Sequence, residues 1–304
     1  MTPILSLNGI FKNYGRIHAL KNVSFEVPEG SVFGVLGPNG SGKTTLLGII
    51  LDILRPTAGS FQLLGQPPSA EVRKGIGTLL ETPNFYHYLS AERNLRIAAE
   101  IKGRGMSEID QVLKTVNLYD RRKSKFSTYS LGMKQRLAIA ASLLGNPGVL
   151  VFDEPTNGLD PVGIAEIREL IKRLAAEGKT IIMASHLLDE VEKVCTHVAI
   201  LKKGDLLAAG HVDEVLVNED IVEVGAPDLL LLQQALSSLT GFQHMKHRGD
   251  CIHLYYKMGT AELGAINQHC FNRGVVLDHL ALKRKSLETK FFELTGDPTA
   301  HQPS

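Results

Sequence analysis

The sequence has few cysteines, and their placement excludes more than their number does. Cys195, Cys251 and Cys270 are odd in number, widely spaced and never arranged as CxxC pairs. Neither a disulfide framework nor a zinc site is supported, and a reducing cytosol is the expected compartment. Charge of one sign is also lacking: 33 Lys plus Arg stand against 32 Asp plus Glu. That balance gives no overall basic field to hold nucleic acid by its phosphates, so no nucleic-acid partner is expected. No apolar run approaches the roughly 18 residues that cross a bilayer, and MTPILSLNGIFKNYG has no charged leader followed by an unbroken apolar stretch. If the protein serves a membrane, another chain is expected to span it. Internal repeats and low-complexity tracts are missing too, although DPTAHQPS reads as a loose tail.

What is present is ordinary globular material. Apolar residues make up 43% and charged residues 21% of 304 positions, enough for one large domain and a smaller one. Val23, Phe25 and Val27 alternate with polar residues like a half-buried strand, and SVFGVLG reads as a buried strand entering a glycine-rich loop. TTLLGIILDIL then has helical spacing and stops at Pro56, while GVLVFDEP and KTIIMASH are short β-rich runs separated by the helical IAEIRELIKRLAAEG with its stop at Gly178. Strands alternating with helices predict an α/β core with a largely parallel sheet. AERNLRIAAEIK, SEIDQVLKTVNL and SLGMKQRLAIAASLL predict helix only, a helical subdomain inserted at about 85–145. Beyond Gly210 the pattern is strand 220–225, helix 228–239, strands 242–246 and 251–257, helix 260–273 and strand 275–283. That βαββαβ order is ferredoxin-like. The expected domains are 1–215 and 216–304, and the RGD at Arg248 to Asp250 falls on a hairpin turn, where turn chemistry explains it.

The segment GPNGSGKTT, from Gly37 through Pro38, Asn39, Gly40, Ser41, Gly42, Lys43 and Thr44 to Thr45, satisfies GxxxxGK[ST]. Glycines let backbone N–H groups turn inward around a triphosphate, Lys43 reaches the terminal phosphates, and Thr44 offers its hydroxyl to Mg²⁺. The helix that follows adds its positive N-terminal end. At average residue usage chance produces this pattern in roughly 1% of chains this long, so an ordinary glycine turn is disfavoured. Asp153 and Glu154 close an apolar strand; with the loop upstream, Asp153 is a candidate for holding Mg²⁺ and Glu154 for orienting or deprotonating water.

GPNGSGKTT, YSLGMKQR, VFDEPTNGLDP and the isolated His186 after IIMAS occur in the order and approximate spacing of ABC-type nucleotide-binding domains, and the chain resembles that family over about residues 4–215. The resemblance implies ATP and Mg²⁺ as ligands, ATP hydrolysis, pairing as a homodimer or with a second ATPase subunit, and an integral membrane permease as partner. It places the protein in the cytoplasm, peripheral on the inner membrane face. Within it, Tyr14 is similar to the aromatic that stacks on adenine, the other reading being a strand-edge tyrosine, and His186 to the switch histidine at the γ-phosphate. The family's LSGGQ loop reads YSLGM here, Tyr129 to Met133. Ser130, Gly132 and, further on, Gln135 are candidates to act on the other subunit's ATP, and Ser130 equally suits a helix N-cap. Asp160 resembles the loop that crosses the dimer interface. Glu81 stands where most relatives place a Mg²⁺-touching glutamine. LLETPNFYHYLS, YSLGMKQR and KSLETKFFELTG resemble the subclass energising drug, bacteriocin and peptide-antibiotic exporters. A soluble non-transport ABC ATPase is the rival, but such proteins usually carry two cores or long coiled coils, and this sequence has one P-loop and no extended heptads. Phe85, Tyr86 and Tyr88 read equally as a permease groove or as burial; Arg121 to Lys125 reads as a solvated turn.

Overall fold

Two residues, Gly15 and Arg16, separate the first two strands, β1 (Pro3–Tyr14) and β2 (Ile17–Pro28). So short a link permits only an antiparallel hairpin, and the strands pair that way. Val23, Phe25 and Val27 are buried on β2 while Ser24 and Glu26 are exposed, as the alternation predicts. This computed structural model describes residues 3–80, 84–215, 219–257, 259–284 and 291. The chain divides into two compact units, Met1–Val212 and Asp213–Ser304.

The first unit continues with β3 (Val32–Leu36), α1 (Lys43–Ile50), β4 (Ala58–Leu63), α2 (Ala70–Lys74) and β5 (Ile76–Leu79). Next come α3 (Ala91–Lys102), α4 (Ile109–Thr115), α5 (Leu131–Leu143), β6 (Val149–Asp153) and α6 (Pro161–Ala176). β7 (Thr180–Ser185), α7 (Leu188–Val194), β8 (His197–Lys202) and β9 (Asp205–His211) follow, and α8 (Val212–Val215) starts where the unit ends. One nine-stranded sheet runs β4-β1-β2-β9-β8-β3-β7-β6-β5. It is more mixed than the sequence predicts. β8, β3, β7, β6 and β5 are parallel neighbours, whereas β4, β1 and β2, and the pair β8 and β9, are antiparallel. Every residue of β3, β6 and β7 is buried. Burial on both faces of a covered parallel sheet explains why these strands read as continuous apolar runs.

α1 ends at Ile50, before the Leu54 that helical spacing predicts. Asp52 turns left-handed at φ 54°, and the amides of Ile53 and Leu54 both return to Gly48 O at 2.9 Å. A Cβ on Gly48 would lie 2.8 Å from Leu54 Cδ1, so a larger residue there would require the Leu54 side chain to shift. α3 to α5 lie between the paired strands β5 and β6. Asn94, buried, bonds Tyr86 N and O at 2.9 and 3.1 Å, and Phe85 meets Phe126 edge-on, leaving Tyr86 and Tyr88 exposed. Lys102 closes the end of α5 by donating to Ala141 O at 2.7 Å and Ser142 O at 3.3 Å. Burial and the neighbouring Arg104 push its pKa down to about 8, with Glu108 opposing.

In the second unit β10 (Glu219–Gly225), α9 (Leu229–Leu236), β11 (His244–Arg248), β12 (Cys251–Lys257), α10 (Leu263–Phe271) and β13 (His279–Arg284) form an antiparallel sheet in the order β11-β12-β10-β13. That is the ferredoxin-like arrangement. The last strand starts at His279, not 275, because the amides of Gly274 and Val275 still bond back to Phe271 O and Cys270 O at the end of α10, at 2.9 and 3.0 Å. Gly249 and Asp250 make the hairpin turn, with Gly249 at φ 56°. Among the described residues no helix is long and apolar enough to cross a membrane.

Candidate active site

The loop between β3 and α1 holds its shape through two glycines. A Cβ on Gly37 would fall 2.3 Å from Ser41 Oγ and 2.4 Å from Leu201 O. Gly42 has φ 109°, and a Cβ there would meet Ala19 O at 2.6 Å. Both positions forbid any larger residue. Ser41 Oγ is buried without a hydrogen-bond partner among the described residues, which is costly unless something else supplies one. Lys43 is only 6% exposed. Its ammonium donates to Gly37 O at 2.8 Å and stands 3.6 Å from Glu154 Oε1.

β6 delivers the carboxylates. Asp153 is its last residue and is buried. Glu154 has φ 49°, a left-handed conformation that costs a non-glycine residue about 1–3 kcal/mol and is enriched at functional sites. Its amide donates to Ala184 O of β7 at 3.0 Å, which fixes the side chain beside His186. Glu154 Oε2 accepts from His186 Nδ1 at 2.8 Å and, at 3.4 Å, from its amide. Lys43, Glu154 and His186 thus form one chain of contacts drawn from three segments far apart in sequence.

A cavity of about 840 Å³ opens over the loop, lined by Asn39 through Thr45, Asp153, Glu154 and Gln135, a size suited to one organic ligand. Thr44 and Asp153 present oxygen donors only, the donor set a hard divalent cation takes. Ile17, His18, Ala19, Leu131, Asn157 and Lys203 also line it, and sequence reasoning missed all six. Lys203 had a signal: at φ 48° before Gly204, KKG marks a tight turn closing a strand. Ile17 and His18 had none, since the hairpin β1–β2 brings them there.

Other candidates lie outside that lining. Gly37 and Pro38 support the loop from behind, their carbonyls turned to Lys43. Tyr14, at the end of β1, is 46% exposed with Lys12 Nζ 5.1 Å above its ring. Ser130 Oγ accepts from Met133 N at 3.3 Å as the N-cap of α5, and Gly132 follows in its first turn. Asp160 caps α6 by accepting from Gly163 N at 2.8 Å. Glu81 falls outside the described residues.

A glycine loop between a central parallel strand and a helix, facing paired acids at the end of β6, with β7 between the two strands, defines a P-loop nucleotide hydrolase. The family description "ABC transporter" matches residues 20–157. The chain is 37% identical to the ABC transporter ATP-binding protein YhcH of Bacillus subtilis (strain 168), covering 98% of this chain and 97% of that one. It is 35% identical to the bacitracin transport ATP-binding protein BcrA of Bacillus licheniformis, covering 98% and 99%. Among solved structures it resembles the dimeric post-hydrolysis state of the ATP-binding cassette MJ0796 bound to ADP and Pi, with TM-score 0.60, 28% identity and coverage of 69% of this chain and 99% of that one. The chain belongs to the family of ABC transporter ATP-binding subunits, and its activity is ATP hydrolysis.

Proposed function

We propose that two copies of this chain, or one copy and a related subunit, clamp ATP between them and drive a separate membrane permease that exports an antibiotic-like peptide or drug. The contact chain Lys43–Glu154–His186 beside the cavity carries this reading. Lys43, on the glycine loop, meets the terminal phosphates; Glu154 holds the attacking water and accepts its proton; His186, already tied to Glu154, contacts the γ-phosphate. Thr44 and Asp153, with Glu81 as a third candidate, are the residues that would hold Mg²⁺, which when bound neutralises phosphate charge. Tyr14 is assigned to adenine. Ser130, Gly132 and Gln135 at the start of α5 serve the other subunit's ATP, where the helix end attracts anions, and Asp160 serves the interface. The exported class is proposed from the bacitracin transport relative. The exposed Tyr86 and Tyr88 sit in the stretch from Glu81 to Ser90 assigned to the permease, and the subunit is assigned to the cytoplasmic face of the membrane.

The test is ATP turnover by the purified chain with Mg²⁺ and with excess chelator, followed by gentle purification from native membranes. Chelator-sensitive phosphate release and one co-purifying integral membrane protein are expected. Turnover indifferent to chelator removes the metal assignment, and a ribosomal or DNA-bound partner in place of a membrane protein favours the non-transport alternative.

A further inference from the structure

Among the described residues the His186 side chain has one anchor, Glu154, and it is 41% exposed. What holds its backbone therefore matters as much as what holds its ring. The segment that carries it leaves β7 at Ser185, whose hydroxyl accepts from Leu187 N at 3.0 Å, and enters α7, seven residues long with no side-chain N-cap. Helices so short have little stability of their own. α7 is secured by Val191, fully buried against Gly34, and by Glu190. Glu190 receives a two-pronged clamp from Arg168 of α6: Nε to Oε2 at 3.0 Å and Nη2 to Oε1 at 2.8 Å. The side chains are 22% and 13% exposed, so solvent screens this pair less than it screens a surface ion pair.

α6 is also the helix that begins at Asp160, and its Glu166 lies 3.6 Å from Arg136 of α5. One rigid helix therefore touches the element whose start bears Ser130 and the element whose start follows His186. We propose that Arg168 and Glu190 are positioning residues for ATP hydrolysis, fixing the His186 segment to α6 so that the histidine keeps its place beside Glu154. This inference rests on the reading of Glu154 and His186 given above. Neither residue lines the cavity, so the clamp acts through His186 and leaves nucleotide binding alone.

The experiment is steady-state ATPase kinetics on the full chain with Arg168→Met, Arg168→Lys, Glu190→Gln and the Arg168→Met/Glu190→Gln double variant, each checked by thermal unfolding. Misplacing a catalytic group by about 1 Å costs up to about 100-fold, so kcat should fall about 10- to 100-fold in Arg168→Met and Glu190→Gln while KM for ATP stays within about twofold. Arg168→Lys, which keeps the charge and loses the fork, should lie between. The double variant should fall no further than the worse single, because one clamp is broken in each. Unchanged kcat in folded variants, losses that multiply in the double variant, or KM rising in step with falling kcat each overturn the assignment. Should Arg168→Met fail to fold, Arg168→Lys and Glu190→Gln decide it by the same criteria. An inactive parent protein would instead contradict the hydrolase reading itself, which keeps the two failures apart.

Discussion

Ser41, Lys43 and Asp153 in the first unit and Asp220 and Glu223 in the second are all buried polar residues, yet they are treated differently. Around the glycine loop, Ser41 Oγ has no partner among the described residues, Lys43 lies against carbonyls and a carboxylate, and Glu154 beside them has left-handed backbone. In the second unit Asp220 accepts from Gly259 N at 2.8 Å. Glu223 accepts from Lys283 Nζ at 2.8 Å, His253 Nε2 at 3.1 Å and His279 Nε2 at 3.2 Å. Burial pushes the Glu223 carboxyl up, but the hydrogen bonds and charge of Lys283 with those of the histidines outweigh it and leave the pKa below 4.5. Polar groups with local partners stabilise a fold; polar groups left strained or unpartnered beside a cavity are arranged for a ligand.

The largest effect that would break this contrast is at Lys43. Replacement by alanine should lower ATP turnover by about 10³-fold or more, since no other cation on the loop reaches the same place; a phosphate-release assay that finds parental turnover would remove the loop from the mechanism. Glu154→Gln should follow, with kcat down about 10²- to 10³-fold and ATP binding preserved. Equilibrium binding of a labelled nucleotide separates the two effects. At Glu223 the expected change is in stability. Its folded pKa lies below its unfolded value, so the carboxylate contributes fully above pH 4.5 and that contribution is lost as pH falls through the lowered folded value. Glu223→Gln should flatten the acid dependence of the second unit's denaturation while ATPase activity stays parental. The smallest effect is expected from ending the chain at Val215: ATP affinity should remain within about threefold. A folded truncated protein unable to bind would show that the second unit serves the site.

Much of the site is legible in local sequence because its parts are local. GPNGSGKTT is a loop motif, VFDE ends a strand, and each acts through backbone geometry that a few residues dictate. The βαββαβ order was similarly readable, since hydrophobic period changes from 2 to 3.6 at each junction. What escaped is nonlocal. Ile17 and His18 reach the cavity through the β1–β2 hairpin, and Lys203 through the pairing of β2 with β9, joined at Lys21 and Asp205. The antiparallel edge β4-β1-β2 was hidden because apolar alternation reports a strand but not its partner's direction. Arg168 and Glu190 lie 22 residues apart on two helices, and nothing in either helix alone marks the pair.

The claim that ATP binds two chains together is tested most directly by static light scattering on purified Glu154→Gln. That substitution keeps the side chain's size and hydrogen-bonding capacity, so ATP should be bound without being consumed and should hold Ser130 and the start of α5 against the opposite site. Adding ATP should shift the mass from monomer to dimer, ADP should not, and the shift should be lost when Ser130 is also replaced by a bulky residue. A protein that stays monomeric at saturating ATP, or dimerises equally with ADP, would contradict it.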